Sequence, residues 1–309
     1  MMPTLWMMMA FMVLAQAADA PRPPYLNVLQ VQVMLDRAGF SPGVLDGRRG
    51  ANTTKALDCF QKQGEPERMV APVTRYRITP EDAAGPFTPI PAHMEQQASL
   101  SALGYTSLLE AIAERFHSTP SLLRQLNPES RFAAGEEIEV PNVEPMVLPA
   151  GKASPAPLAP EGAPARVSAP VKPTVVVTVM KRRSALTVTD ASGHILFYAP
   201  VTTGSKHDPL PIGKWKVKGV QFNPAYHYNP HLFWNANPRD AKVTVPAGPN
   251  NPVGLVWIDI SKKHYGLHGT PEPSTIGRTQ SHGCIRLTNW DALQLAALVK
   301  PGTRLLFKK

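Results

Sequence analysis

The stretch that decides this chain is H-G-T-P-E-P-S-T-I-G-R-T-Q-S-H-G-C-I-R, residues His268–Arg286. It holds two histidines, His268 and His282, and Cys284, one of only two cysteines in the chain. A free thiol with a pKa of about 8.5 is mostly protonated at neutral pH, so a nucleophilic cysteine needs an imidazole beside it. Glycine allows close backbone approach, and a turn at Gly283 can aim amide N–H groups at a developing oxyanion. The stretch therefore predicts a thiol active site.

The sequence around this stretch has the pattern of short β-strands. β-Branched runs such as T-V-V-V-T-V-M, A-L-T-V-T-D and V-W-I-D-I alternate with Gly, Ser and Pro turns across residues 174–309. One amphipathic helical pattern, N-W-D-A-L-Q-L-A-A-L-V, follows Cys284 and ends at Pro301-Gly302. We predict a β-rich, β-sandwich-like C-terminal domain with a helix directly after its nucleophile.

The amino terminus has the pattern of an export signal. Residues 5–15 are a run of eleven apolar residues followed by A-x-A sites, and they are too few to span a bilayer. We interpret residues 1–20 as a secretory signal peptide. No other segment reaches the roughly 18 apolar residues of a membrane helix. The expected location is therefore the periplasm, with no membrane span after signal removal.

The charge of the chain indicates what it can bind, and its two cysteines indicate whether it forms a disulfide. The formal net charge is +9, and the sequence pI is about 9.6. Basic residues are scattered without the aromatic interleaving of a nucleic-acid surface, so we predict no nucleic-acid partner. A positive net charge favours an anionic environment, such as a bacterial cell envelope rich in carboxylates and phosphates. Cys59 shares an apolar helix face with Ala56 and Phe60, which predicts a core thiol and no disulfide with Cys284.

Residues 21–65 predict two helices around a Gly-Asp-Gly loop. The first follows L-N-V-L-Q-V-Q-V-M-L, and the second follows A-N-T-T-K-A-L-D-C-F-Q, with Asn52 or Thr53 as its N-cap. The run L-D-G-R-R-G followed by T-K-A-L-D-C-F-Q resembles the peptidoglycan-binding helical domain of cell-wall enzymes, and a generic helical hairpin is the alternative.

A proline-containing connector, residues 66–98, comes next and includes a possible strand at Thr74–Thr79. Residues 99–142 predict two helices, the second with Thr119 as N-cap and Pro120 in its first turn, and then a strand ending at Pro141. This order resembles a lysin motif, a domain that binds N-acetylglucosamine-containing glycans. The Pro/Ala-rich residues 143–173 predict an extended linker.

The C-terminal motifs have a more specific resemblance. I-G-K-W-K-V, G-P-N-N-P-V-G, H-G-T and S-H-G-C-I-R-L together resemble the catalytic domain of the L,D-transpeptidases, over residues 174–309. The resemblance implies that Cys284 is the nucleophile and that His268 is the base, oriented by the Gly269 carbonyl. His282 and Gly283 belong to the same catalytic loop, in which His282 either assists the thiol or, as we favour, fixes the loop by hydrogen bonds.

The resemblance also implies substrate and reaction. Cys284 would attack the third residue's carbonyl in a peptidoglycan stem tetrapeptide, release D-alanine and pass the acyl group to an amine, without a cofactor. The amine belongs to a second stem or to an envelope lipoprotein. Ser281, Arg286 and Tyr265 are the predicted substrate-binding residues; Ser281 and Arg286 could instead brace the loop. Arg286 stands where many members have asparagine.

Three other functions remain to be compared. Transfer to water would make the protein an L,D-carboxypeptidase or a related peptidoglycan hydrolase. A zinc hydrolase could use His264, His268, His282 and Cys284, but two strand residues four apart lie about 13 Å from each other, which disfavours one shared metal. A non-catalytic wall anchor would not need the intact His268 and Cys284 pair.

Overall fold

The structure is a computed structural model that describes residues 23–147, 174–234, 236–237 and 239–309. The predicted signal peptide and most of the predicted linker lie outside these ranges. Within them, no helix is long and apolar enough to cross a membrane. The helices and strands, in chain order, are α1 (Pro24–Arg37), α2 (Ala51–Gln63), β1 (Val73–Arg77), α3 (Pro80–Ala83), α4 (Met94–Ala98), α5 (Leu108–Arg115), α6 (Pro120–Leu126), β2 (Glu137–Pro141), β3 (Val176–Met180), β4 (Ala185–Thr189), β5 (Ile195–Pro200), β6 (Gly213–Phe222), β7 (Tyr226–Tyr228), β8 (Val243–Val245), β9 (Val256–Ile260), β10 (Gly266–His268), β11 (Ile285–Arg286), α7 (Asn289–Leu298) and β12 (Arg304–Lys308).

The C-terminal domain is built on a mixed eight-stranded sheet with the order β11-β10-β9-β6-β12-β3-β4-β5. The long strand β6 joins its two halves: residues 213–216 pair with β12, and residues 217–222 pair with β9. A register shift between Val217 and Gly219 marks a bulge at this change of partner, and bulges bend strands. The predicted β-rich domain is confirmed.

One apolar core lies between the two halves of the sheet and helix α7. Alternate residues of the strands point into it, for example Val177 and Val179 of β3 and Leu305 and Phe307 of β12. Helix α7 supplies Leu295 to the same core and packs against β9 and β10. The helix predicted after Cys284 thus supports the two strands that lead to the candidate site.

The predicted helical hairpin is present as α1 and α2, but its N-cap prediction is wrong. Helix α2 begins at Ala51 with Gly50 as N-cap and without a side-chain cap. Asn52 instead donates a hydrogen bond from Nδ2 to the Ile276 carbonyl oxygen, at 3.0 Å, and Thr53 accepts one from Gln32. A long-range contact with the C-terminal domain has replaced the local cap.

The next unit contains the two predicted helices, as α5 and α6, and the predicted final strand, as β2, but it begins earlier than predicted, at β1; we call these four elements the β-α-α-β unit. Strand β1 pairs antiparallel with β2 from Val73↔Pro141 to Arg77↔Glu137, so its first strand lies inside the predicted connector. Thr119 caps α6 by accepting from the Leu122 N–H at 3.0 Å, which confirms that N-cap. Helices α3 and α4 occupy the long connection from β1 to α5.

The N-terminal units pack directly against the C-terminal domain. Phe40 forms a parallel bridge with Tyr198 of the edge strand β5, and the Ser41 N–H donates to the Tyr198 carbonyl at 2.9 Å. Phe40 and Phe60 share a buried cluster with Ala185 and Tyr198. Met146, in the predicted linker, is buried in the core of the C-terminal domain. These units therefore form part of one packed body rather than modules held only by a tether.

Asp291 of helix α7 is a charged side chain buried at this junction. It is 0% exposed, and it lies beside the hydroxyls of Thr288 and Ser41, although neither carboxylate oxygen has a partner at full hydrogen-bond geometry. Burial raises the pKa of Asp291 to about 7, and Asp36 adds to the rise while His117 opposes it. A carboxyl group that binds its proton so tightly in the folded state makes folding depend on pH.

We expect Asp291→Asn to change the pH dependence of stability. Because the folded pKa lies above the ordinary value of 3.8, the stabilising contribution of Asp291 is complete below about pH 4 and is lost as the pH rises to about 7. The wild type should therefore lose up to about 4 kcal/mol relative to the variant over that range. Urea unfolding at pH 4.5, 6 and 7.5 measures the difference.

Asp190→Asn is the control. A side-chain hydrogen bond from Ser192 and backbone bonds lower the pKa of Asp190, so its contribution changes only below the range tested. A constant difference between wild type and Asp291→Asn across the three pH values would contradict the burial of an ionisable Asp291.

Candidate active site

Two short parallel strands bring the two halves of the predicted site together. Strands β10 and β11 pair with the register Leu267↔Ile285 and His268↔Arg286. Cys284 directly precedes β11, and its thiol has a hydrogen bond with the backbone of Gly266. The Sγ atom also lies 3.9 Å from the His264 carbonyl oxygen. The long loop between the strands therefore closes with Cys284 beside the strand that ends in His268.

His268 is held in one orientation. It is 5% exposed, and its Nδ1 lies 2.7 Å from the Gly269 carbonyl oxygen, the orienting contact expected from the sequence. The Trp257 ring stacks on the imidazole with a centroid distance of 5.6 Å. Because a carbonyl oxygen only accepts, Nδ1 carries the proton of the neutral imidazole. Nε2 then has the lone pair that a base needs.

The loop before Cys284 is braced from within. Ser281 is 3% exposed, donates from Oγ to the Cys284 carbonyl at 2.6 Å and accepts the Gly283 N–H at 3.2 Å. Gly283 has a φ of +107°, and a Cβ there would lie 2.7 Å from the Tyr265 ring, so this position requires glycine. The structure gives Ser281 and Tyr265 a part in the loop, and their contact with substrate stays a prediction.

His282 points toward the aromatic segment that follows β7. Its ring meets Phe233 edge-on at 5.0 Å and lies 6.1 Å from the Trp234 ring. Trp234 is exposed and stacks on His207 at 4.4 Å. The aromatic residues that follow β7 thus contact the loop before Cys284 through His282.

Comparison with known proteins identifies this domain. Residues 174–306 match the family model YkuD, described as the L,D-transpeptidase catalytic domain. These residues are an L,D-transpeptidase catalytic domain. The strands and loop described above all lie within the matched range.

Relatives share this domain rather than the whole chain. YkuD of Bacillus licheniformis, named as an L,D-transpeptidase, is 51% identical over 69 residues, which are 22% of this chain and 42% of that protein. YbiS of Escherichia coli, also named as an L,D-transpeptidase, is 35% identical over 112 residues, 35% of this chain and 36% of that protein. A solved L,D-transpeptidase from Mycobacterium smegmatis aligns with a TM-score of 0.36 and 19% identity, covering 44% of this chain and 59% of that one. The chain thus spans less than half the length of these two sequence relatives.

Arg286, at the end of β11, is the cation whose charge acts on the candidate catalytic groups. Its backbone N–H and carbonyl both bond to Thr202, while its side chain makes no salt bridge within the described residues. Its charge lowers the pKa values of His268, His282 and Cys284. One guanidinium therefore acts on the whole set of candidate catalytic groups.

The thiol and imidazole of the L,D-transpeptidase domain are both neutral at rest. Burial, with Arg286 adding to it, lowers the pKa of His268 to about 4. Burial raises the pKa of Cys284, although the Gly266 backbone and Arg286 oppose that rise. With both groups neutral, the imidazole is suited to take the thiol proton during attack, rather than to hold a preformed ion pair.

Three residues of the site were not predicted from the sequence. Trp257 stacks on His268, the charge of Asp208 opposes the lowering of the His282 pKa by burial and Arg286, and Asn289 touches the backbone at Gly269. Trp257 had a signal, since an aromatic residue in V-W-I-D-I faces one side of a strand. For Asp208 and Asn289 the sequence offered no signal.

The zinc alternative required several ligands in one place. The described residues contain no cluster of three or more His, Cys, Asp or Glu side chains placed to hold a metal. His264, one of the four ligands of that alternative, contributes its backbone carbonyl to the surroundings of Cys284.

We expect Arg286→Gln to raise the pKa of His268 from about 4, because the variant removes the cation that disfavours the imidazolium. Arg286→Lys keeps the charge and should leave the titration close to that of the wild type. The measurement is an NMR pH titration of the imidazole Cε1 protons, assigned with His268→Gln. An unchanged His268 titration in Arg286→Gln would show that Arg286 does not act on the base.

Proposed function

We propose that this protein is a peptidoglycan L,D-transpeptidase of the bacterial periplasm. The observation that carries the proposal is the position of the Cys284 thiol at the backbone of Gly266, two residues before the buried His268 on strand β10, with Nδ1 of His268 bonded to the Gly269 carbonyl. This pair lies in an L,D-transpeptidase catalytic domain. A thiol and an oriented imidazole together are the requirements of acyl transfer through a thioester.

The first half-reaction forms the thioester. Nε2 of His268 takes the thiol proton as Cys284 Sγ bonds to the carbonyl carbon of the third residue in a stem tetrapeptide. The tetrahedral intermediate then breaks its C–N bond to D-alanine, and the imidazolium returns the proton to the leaving amine. The product is an acyl-enzyme and free D-alanine.

The second half-reaction reverses the roles. An amine attacks the thioester carbonyl, His268 takes the amine proton, and the C–S bond breaks to give an amide. The imidazolium then protonates the departing thiolate. The acceptor is the side-chain amine of diaminopimelate on a second stem, or a lysine of an envelope lipoprotein. Water in place of the amine would give an L,D-carboxypeptidase.

The oxyanion and the substrate carboxylate need separate partners. The Gly283 N–H already donates to Ser281 Oγ, so we assign the oxyanion to the Cys284 amide. We assign the substrate carboxylate to Arg286, because its guanidinium makes no ion pair within the described residues and can bind a carboxylate through two parallel hydrogen bonds.

The N-terminal units would supply contacts with the wall. The helical hairpin resembles a peptidoglycan-binding domain, and the β-α-α-β unit resembles a lysin motif, so we assign both to glycan strands. The net charge of +9 favours an anionic polymer over a neutral one. Export to the periplasm would bring the N-terminal units and the catalytic site to the same peptidoglycan.

We expect Cys284→Ala to abolish D-alanine release from a disaccharide tetrapeptide, because no thioester can form. Cys59→Ala is the matched control: it removes the other free cysteine, which lies in the N-terminal helix α2, and should keep nearly full activity. Free D-alanine measured by a coupled oxidase assay distinguishes the two variants. Release at the wild-type rate by Cys284→Ala would rule out this nucleophile.

Mass spectrometry of sacculi identifies the acceptor. Sacculi from cells with and without the protein are compared for direct stem-to-stem cross-links, attached lipoprotein and trimmed stems. New cross-links or attached lipoprotein would support transfer to an amine. Trimmed stems alone would identify a carboxypeptidase instead.

A further inference from the structure

Helix α5 lies outside the catalytic domain and contacts it through two carboxylates. Glu110 and Glu114 are four residues apart and therefore lie on one face of the helix. Glu110 Oε1 accepts from Asn250 Nδ2 at 2.8 Å, and Glu114 Oε1 accepts from Asn289 Nδ2 at 2.7 Å. The β-α-α-β unit thus holds two asparagine side chains of the L,D-transpeptidase domain.

In the second of these asparagines, Asn289, both polar atoms of the side-chain amide have hydrogen-bond partners. It is 0% exposed, and it is the first residue of α7. Nδ2 also donates to the Pro249 carbonyl at 3.2 Å, and Oδ1 accepts the Leu255 N–H at 3.0 Å. A side-chain amide has two N–H donors, and here Glu114 and Pro249 use both. Glu114 is therefore one of the partners that set the orientation of this amide.

Asn289 also touches the peptide that orients the catalytic base. A Cβ added to Gly269 would lie 2.0 Å from Asn289 Oδ1, so the amide fills the space beside the Gly269 backbone. The Gly269 carbonyl accepts the hydrogen bond from His268 Nδ1, and the Gly269 N–H donates to the Val256 carbonyl at 3.2 Å. A shift of Asn289 would therefore move this peptide, and the imidazole would move with it.

Glu114 is itself held rigidly. Its residue is 8% exposed, and the Tyr105 hydroxyl donates to its carboxylate. Beside it, the rings of His117 and Trp290 stack across the same junction at 5.1 Å, with 8° between their planes. The carboxylate therefore offers Asn289 a fixed partner rather than a mobile surface group.

We propose that Glu114 is a positioning residue for the catalytic base, acting on His268 through Asn289 and the Gly269 peptide. In this arrangement the β-α-α-β unit completes the L,D-transpeptidase site as well as any contact it makes with the wall. The inference rests on the proposed role of His268 as the base for Cys284.

The proposal predicts a specific kinetic change. Glu114→Ala removes the acceptor from Asn289, and a displaced base lowers kcat by about tenfold to a hundredfold. KM for the stem peptide stays within about twofold, because Glu114 lies away from the substrate contacts assigned to Arg286 and changes only the chemical step. Glu114→Gln keeps an oxygen acceptor at the same reach and should restore kcat to within about threefold of the wild type.

The test uses the full chain and two measurements. The first is D-alanine release from a disaccharide tetrapeptide, which gives kcat and KM. The second is the rate at which iodoacetamide alkylates Cys284, followed by peptide mass spectrometry; this rate depends on the base but not on the peptidoglycan reaction. Glu110→Ala is the matched control, since it removes a similar hydrogen bond to Asn250 one helical turn away. The thermal unfolding midpoint of each variant reports how much the packing of the β-α-α-β unit against the catalytic domain has been weakened.

We expect Glu114→Ala to lower both kcat and the alkylation rate by at least about tenfold, and Glu114→Gln to recover both. Glu110→Ala should lose a similar amount of stability, with little change in kcat or in the alkylation rate. Equal slowing by Glu110→Ala, or failure of Glu114→Gln to recover, would overturn the proposal. If Glu114→Ala does not fold, Glu114→Leu, which keeps the packing volume, decides by the same criteria. If the wild type releases no D-alanine but alkylation still follows Glu114, the proposed function fails and the positioning role stands.

Discussion

The site depends on the pairing of two very short strands. Strand β11 has only two residues, and its parallel register with β10 sets His268 opposite Arg286 and brings Cys284 to the backbone of Gly266. Two ladder positions cannot hold such a register alone. Helix α7 packs against β10, and β9 pairs with the edge of β10 that does not pair with β11. The chemistry of the thiol therefore relies on packing that extends well beyond the loop that carries it.

The same dependence links the N-terminal half of the chain to the catalytic domain. The outer side of β4 and β5 is covered by the helical hairpin through Phe40, Phe60 and Tyr198. The β-α-α-β unit reaches α7 through Glu114 and the His117–Trp290 stack. Both units bury side chains that a separate catalytic domain would expose. The N-terminal units and the catalytic domain are therefore parts of one continuous body.

Much of the C-terminal domain could be predicted because its strands have a local signature. Alternation in V-V-T-V-M places Val177 and Val179 inside, and β-branched runs bounded by Gly and Pro gave β3, β4 and β9 near their observed limits. The motif around Cys284 likewise located the nucleophile candidate and the Gly269 contact of His268. These features depend on neighbours in the sequence or on a family pattern.

Features that depend on distant contacts were missed. The N-cap prediction at Asn52 was wrong because its side chain bonds to Ile276, 224 residues away. A strand was predicted at Thr74–Thr79, close to β1, but it was assigned to a connector because its partner β2 comes about sixty residues later. Glu114 and Asn289 each have an ordinary helical context, and only the junction, where 175 residues of sequence separate them, gives them a role.

The central claim is that the acyl group of a stem peptide passes through Cys284. Intact-protein mass spectrometry during turnover of a disaccharide tetrapeptide, with no amine acceptor added, tests it most directly. We expect a mass increase equal to the mass of the substrate minus that of D-alanine, whose amine carries away the thiol proton, and peptide mapping should locate the adduct on Cys284. An adduct on Cys59 or Ser281, or D-alanine release without any transient adduct, would contradict the account.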